Sequence, residues 1–123
     1  MKPRTATLTP QELEIMKVVW QKNEATVRDV YEDLRERRKI AYTTVMTMMK
    51  VLEGKGHLRK RQEDRAYVYK PTRPEAAVVR GMVREFVDRL FDGSAQPLVV
   101  HLLKDRRLTR EELDELSRLI DEA

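Results

Sequence analysis

The stretch from Tyr42 to Lys50, Tyr-Thr-Thr-Val-Met-Thr-Met-Met-Lys, carries the most usable chemistry in the chain. Wound as a helix at about 100° per residue, it sends Val45, Met48, Met49 and Leu52 to one side. Thr43, Thr47 and Lys50 point the other way, with Met46 at the edge and Thr44 and Val51 flanking. Small hydroxyls on such a face approach base edges, apolar groups meet thymine methyls, and a lysine suits a phosphate. Tyr42 and Thr43, at the helix start, are placed to reach a phosphate alongside free backbone amides. Threonine is a poor helix former, so its repeated use here asks for a reason. An ordinary amphipathic helix with a wet threonine face remains the plain alternative.

A second cluster lies just downstream. Arg59, Lys60, Arg61 and Arg65 sit at or beside a turn expected at residues 62–65. Cations there can follow a phosphate backbone or enter a minor groove. Charged residues also protect an edge strand from aggregation, but edge protection requires no hydroxyl-rich helix nearby. Together the clusters point to duplex DNA. Charge distribution agrees: through Arg73 the chain holds 17 Lys/Arg against 10 Asp/Glu, and beyond it 8 against 11. The front half suits a polyanion; the back half suits another task.

The elements that must position these clusters can be read in order. Thr9, Pro10 and Glu12 form a capping box that opens a first helix, with Leu13, Ile15, Met16, Val19 and Trp20 as its apolar face. Asn23 and Glu24 end it. Thr26 caps a second helix, with Val27, Val30, Tyr31 and Leu34 at helical spacing, running into the basic cluster Arg35 to Lys39. The third helix runs from near Tyr42 to the stop at Gly54-Lys55-Gly56. Residues 58–61 and 66–70 read as two strands of a hairpin closed by Pro71. Three short helices followed by a hairpin is the order of a winged helix-turn-helix, in which the third helix reads the groove and the hairpin is the wing.

From Pro74 to Asp92 the pattern is helical again, with Val79, Met82, Val83, Phe86, Val87, Leu90 and Phe91 in a broad stripe stopped by Gly93. A short helix, Leu98 to Leu103, follows. A last one opens on a Thr109 to Glu112 capping box and carries Leu113, Leu116, Leu119 and Ile120. The stripe is too broad for a lone surface helix. Burial against a second copy, through Val79, Val83, Phe86, Val87, Leu90, Phe91, Leu98, Leu102, Leu113, Leu116 and Ile120, is the expected remedy. The fold class is therefore mainly α: a winged-helix DNA-binding domain over 1–73 and a three-helix dimerisation domain over 74–123.

Other chemistry finds little support. The chain has no cysteine and two histidines, too few for a metal site without converging carboxylates. His57 is expected to face solvent after a helix stop, and His101 to pack in a core or interface. The acidic run from Glu111 suits the first turn of a helix, and no phosphate loop or Ser/His/Asp set is present. Trp20 and the methionines are expected to pack. No enzymatic activity and no cofactor are expected. No apolar run is long enough for membrane insertion, and the start, MKPRTATLTP, lacks the apolar core of a signal peptide, so a cytoplasmic protein is expected.

Several motifs together carry a family resemblance. Leu8-Thr9-x-x-Glu12-x-x-Ile15-Met16, Val19-Trp20, Ala25-Thr26-Val27-x-x-Val30 and residues 41–47, Ala-Tyr-Thr-Thr-Val-Met-Thr, resemble the penicillinase repressor family (BlaI/MecI), related to the copper repressor CopY. Lys55-Gly56 and Tyr67-x-Tyr69-x-Pro71 continue the match. The resemblance implies a homodimeric repressor of palindromic operators. Thr43, Thr44 and Thr47, with Met46 nearby, would lie on the bases, and Arg59, Arg61 or Arg65 on the backbone. It also implies a membrane-associated sensor protease as partner, cutting the segment that holds His101-Leu102. This sequence departs from the family there, since His-Leu stands where antibiotic-responsive members have Asn-Phe. Val51-Leu52 stands where Arg-Leu is common, and the Cys-x-Cys metal motifs of the copper branch are missing. Two other functions fit the residues alone: an adaptor binding an acidic protein, and an architectural duplex binder without sequence choice.

Overall fold

A computed structural model describes residues 8–122. The chain start MKPRTATLTP, expected not to be a signal peptide, lies mostly outside the described residues. Helix α1 spans Pro10–Lys22, α2 Val27–Leu34 and α3 Tyr42–Gly54; strands β1, Leu58–Glu63, and β2, Ala66–Pro71, follow; α4 is Glu75–Phe91, α5 Gln96–Lys104 and α6 Arg110–Glu122.

Local chemistry sets most of the boundaries. Thr9 and Glu12 form a reciprocal capping box at the start of α1, and Thr26 and Asp29 form another at α2. Each box satisfies two amide donors that the first turn leaves open. Thr109 and Glu112 repeat the device at α6, with bonds of 2.9 and 3.0 Å. Past α3, Gly56 adopts φ +87°, a conformation that only glycine takes without strain, and the chain turns into β1.

β1 and β2 pair antiparallel from Leu58↔Pro71 to Glu63↔Ala66. The turn is therefore Asp64-Arg65 alone, two residues shorter than the expected loop over 62–65. Asp64 reaches φ +55° there, since aspartate tolerates the left-handed region better than most residues. A bridge between Ala25 and Tyr69, with bonds of 2.9 and 2.8 Å, ties the hairpin to the α1–α2 loop.

The chain divides into two compact units after Val79, inside α4 and not before Pro74 as the sequence suggested. Val78 is buried and the Trp20 indole donates 3.0 Å to the Arg73 carbonyl, so the start of α4 belongs with the helices before it. The first unit has a closed core of Ile15, Met16, Val18 and Val19 from α1, Val30 and Leu34 from α2, and Val45, Met49 and Leu52 from α3. Met48, expected beside them, is only half-buried. His57 lies in this core at 4% exposure, not in solvent, its backbone held against the end of the hairpin by the Thr72 amide, which donates 3.0 Å to the His57 carbonyl. Thr72 then donates to the carbonyls of Gly56 and His57 at 2.6 and 3.3 Å.

In the second unit Val87 is buried, while Phe91, Leu98, Leu102 and Leu113 are half-buried. Val83, Phe86, Leu90, Leu116 and Ile120 remain exposed, and so do Val100 and Leu119. Val79, grouped with this stripe in the sequence, falls in the first unit and is exposed. His101 is exposed too, its ring 6.1 Å from that of Phe91, because its side of α5 meets no second layer within the unit. Among the described residues no helix is long and apolar enough to cross a membrane.

Candidate nucleic-acid interface

The face of α3 opposite its buried residues is built as the helical period requires. Val45, Met49 and Leu52 are fully buried, which fixes the rotation of the helix. Thr43, Thr44, Thr47 and Lys50 are consequently exposed, and Met46 is half-buried at the margin. The start of α3 differs from those of α1 and α2. Ala41 occupies the cap position and no side chain caps the turn. Unclaimed first-turn amides favour an anionic oxygen.

Tyr42 is held in place at that end. Its ring meets Tyr31 of α2 edge-on, 5.4 Å between centroids, and the Arg28 guanidinium lies over the Tyr42 ring, 5.4 Å from the centroid. Arg35 covers Tyr31 at a further 5.4 Å. Glu32 pairs with both arginines, at 3.5 and 3.3 Å. This ladder brings Arg28 beside the open end of α3. Sequence reasoning missed Arg28, because its relation to Tyr42 is tertiary. The one available signal was a cation near the start of the helix preceding the reader.

The wing separates its four cations into two kinds. Lys60 pairs with Glu53 of α3 at 3.5 Å and lies 4.4 Å from the centre of the Tyr67 ring. Arg61 grips both Glu24 oxygens, at 3.0 and 3.1 Å, and Glu63 at 3.0 Å. The hydrogen bonds from Arg61 hold the Glu24 carboxyl below the usual glutamate value, and those to Glu24 and Glu63 raise the Arg61 guanidinium. Arg59 and Arg65 are exposed, and among the described residues no ion pair engages them or Lys50. The arrangement offers a hydroxyl-lined helix face, an uncapped helix start and two uncommitted wing arginines within one unit.

Under these elements a partly buried ion pair joins α1 to the end of α3. Lys55 donates to both Glu12 oxygens at 2.8 and 2.9 Å. Burial pushes the Glu12 carboxyl up, but the hydrogen bonds from Lys55 and Thr9 outweigh it and leave the group below its usual value. Among the described residues no group of His, Asp or Glu is arranged to hold a metal ion.

Residues 8–122 match the family described as Penicillinase repressor. The chain belongs to that family. The penicillinase repressor of Bacillus licheniformis is 29% identical over 115 residues, covering 94% of this chain and 90% of that protein. The transcriptional regulator BlaI of Mycobacterium tuberculosis is 36% identical over 110 residues, covering 88% and 78%. Among solved structures, the DNA-binding domain of the repressor BlaI superposes with TM-score 0.54 at 32% identity, over 62% of this chain and 92% of that one. The B. licheniformis BlaI monomer, determined in complex with the blaP half-operator, gives TM-score 0.52 at 30% identity, over 59% and 89%. As a penicillinase repressor family member, the protein is a winged-helix DNA-binding regulator of transcription and not an enzyme. Its function is sequence-specific repression.

Proposed function

We propose that the protein is a cytoplasmic homodimer that represses transcription from a palindromic operator, with α3 of each copy in a major groove. The observation that carries this reading is the rotation of α3, whose buried side leaves Thr43, Thr44, Thr47 and Lys50 exposed together. In this reading Thr43, Thr44 and Thr47, with Met46 at the margin, contact base edges. Tyr42, Arg28, Lys50, Arg59 and Arg65 contact phosphates and fix the register. The apolar side chains left exposed in the second unit make the dimer. Two-fold symmetry in the protein then calls for two-fold symmetry in the operator.

The test is selection of bound fragments from a random duplex pool, followed by gel shifts with the selected and scrambled sequences. Thr47→Ala should weaken binding to the selected duplex about tenfold and leave binding to the scrambled one unchanged. Equal wild-type affinity for both duplexes would overturn the reading in favour of an architectural binder. No duplex binding at physiological salt would favour the protein adaptor.

Release by a membrane-associated sensor protease cutting at His101-Leu102 belongs to the same reading, on family likeness alone. That bond lies within α5 and Leu102 is half-buried, so the helix must open locally before a protease can take it. Mass spectrometry of the chain from cells exposed to a cell-wall antibiotic should find fragments ending at His101. An intact chain with full derepression would sink this route.

A further inference from the structure

The wing is fastened at its base and free at its tip. The Ala25–Tyr69 bridge and the Thr72 bonds hold the base, while Asp64 and Arg65 stand at the tip. Between them, Arg61 sits mid-strand opposite Val68, and its guanidinium spans to Glu24 in the α1–α2 loop. Lys60, on the alternate face of β1, spans to Glu53 of α3. The middle of the wing is thus braced from both faces.

The charge count at Arg61 is instructive. One guanidinium is shared by two carboxylates, Glu24 and Glu63, with Lys70 the further cation acting on Glu24, so the charge of Arg61 is already balanced within the protein. A cation committed this way is poorly placed to be a phosphate contact, although its sequence position suggested one. A planar fork gripping both oxygens of one carboxylate fixes direction as well as distance, which a lysine cannot do.

We propose that Glu24 and Arg61 are positioning residues for DNA binding: their fork sets the wing so that Arg59 and Arg65 reach the backbone, and Arg61 itself contacts no phosphate. This rests on the proposed use of the wing against DNA. Glu24 is the more telling partner, because it carries the wrong charge to attract a phosphate. By Coulomb's law alone, removing a carboxylate near DNA tightens binding. A positioning role predicts the opposite sign.

The experiment measures binding of the full chain, across a salt series, to the duplex it selects from a random pool. Glu24→Gln should weaken binding about threefold, the size expected of an exposed ion pair. Arg61→Lys, which keeps the charge and loses the fork, should weaken it equally. The loss is the cost of setting a loosened wing on the duplex, where Arg59 and Arg65 still meet the backbone. Neither variant should therefore change the salt slope, and Glu24→Arg combined with Arg61→Glu should recover most of the loss. Tighter binding by Glu24→Gln, wild-type behaviour in Arg61→Lys, or a slope flattened by about 0.9 in Arg61→Ala would overturn the proposal.

A measurement without DNA separates this from the reading it rests on. Amide exchange at Ala25 and Tyr69 in the free protein should quicken in Glu24→Gln; unchanged exchange would remove the brace itself. Wild-type chain that treats selected and scrambled duplexes alike would instead defeat the sequence-reading assignment.

Discussion

In the first unit Val30, Leu34, Val45, Met49 and Leu52 all sit at 0% exposure. Among the described residues of the second, only Val87 falls as low as 9%, while Val83 stands at 51%, Leu90 at 57% and Ile120 at 74%. Both units are rich in helix with a periodic apolar side, so composition does not separate them. Closure does. In the first, three helices and a hairpin surround one set of side chains, and the burial of α3 decides which of its residues face outward. In the second, half of a comparable stripe has nothing within its unit to cover it. The first unit closes its core within one chain; the second leaves an apolar face that the proposed second copy would cover.

The largest break in that contrast is a pair of leucine truncations. Leu52→Ala opens a cavity in a closed core and should cost about 3 kcal/mol of unfolding free energy. Leu116→Ala, at 46% exposure, removes atoms already wet in the single chain and should cost the isolated fold little. Thermal melts at dilute and concentrated protein test this. Leu52→Ala should melt early at both concentrations, whereas Leu116→Ala should show its deficit only where wild type is a dimer. Equal, concentration-independent losses would mean that the second unit closes its own core.

The next effect is on binding. Val83→Asp with Leu90→Asp places charges in the uncovered stripe and should yield a monomer by sedimentation. Affinity for a two-half-site duplex should fall about 100-fold, since the second half-site no longer acts at high effective concentration. Affinity for a single half-site should barely move. An unchanged full-site affinity would separate operator recognition from dimerisation.

How much of this was legible in the sequence follows from the range of the interactions. Helix starts were legible because a capping box is written in four consecutive residues, as at Thr9 to Glu12. The outward face of α3 was legible because Val45, Met49 and Leu52 repeat at helical spacing. The wing turn was misjudged because Asp64 takes a left-handed conformation without an Asn-Gly or Asp-Gly signal. His57 was misplaced because its burial depends on Thr72, and Glu24 passed for a helix end because its partner lies 37 residues on. The extent to which α5 and α6 cover the stripe left no signature in any single helix.

A third comparison uses acid. Glu12 is buried in the first unit, and none of the described carboxylates of the second is buried. Its folded-state value is depressed, so its contribution is whole above the ordinary glutamate range and is lost as pH falls through the depressed value. Glu12→Gln should cost the first unit about 1.5 kcal/mol at neutral pH. It should also flatten the acid side of its stability curve, read by tryptophan fluorescence at Trp20. A variant curve parallel to wild type down to acid pH would show that the pair is not linked to folding.

The smallest effect tests whether DNA is met by the first unit alone. Arg59 and Arg65 are uncommitted wing cations, whereas Arg118 is an exposed cation on α6. Arg59→Ala and Arg65→Ala should each weaken binding only about threefold at physiological salt, because single phosphate contacts are weak. Each should reduce the slope of log affinity against log salt by about 0.9, as one fewer counterion is released. Arg118→Ala should change neither quantity, although it removes the same charge from the same chain. If Arg118→Ala flattened the slope as much as Arg59→Ala, the basic front half would lose its privilege. DNA would then be gripped by both units, and the division between reader and assembly element would fail at the surface even where it holds in the core.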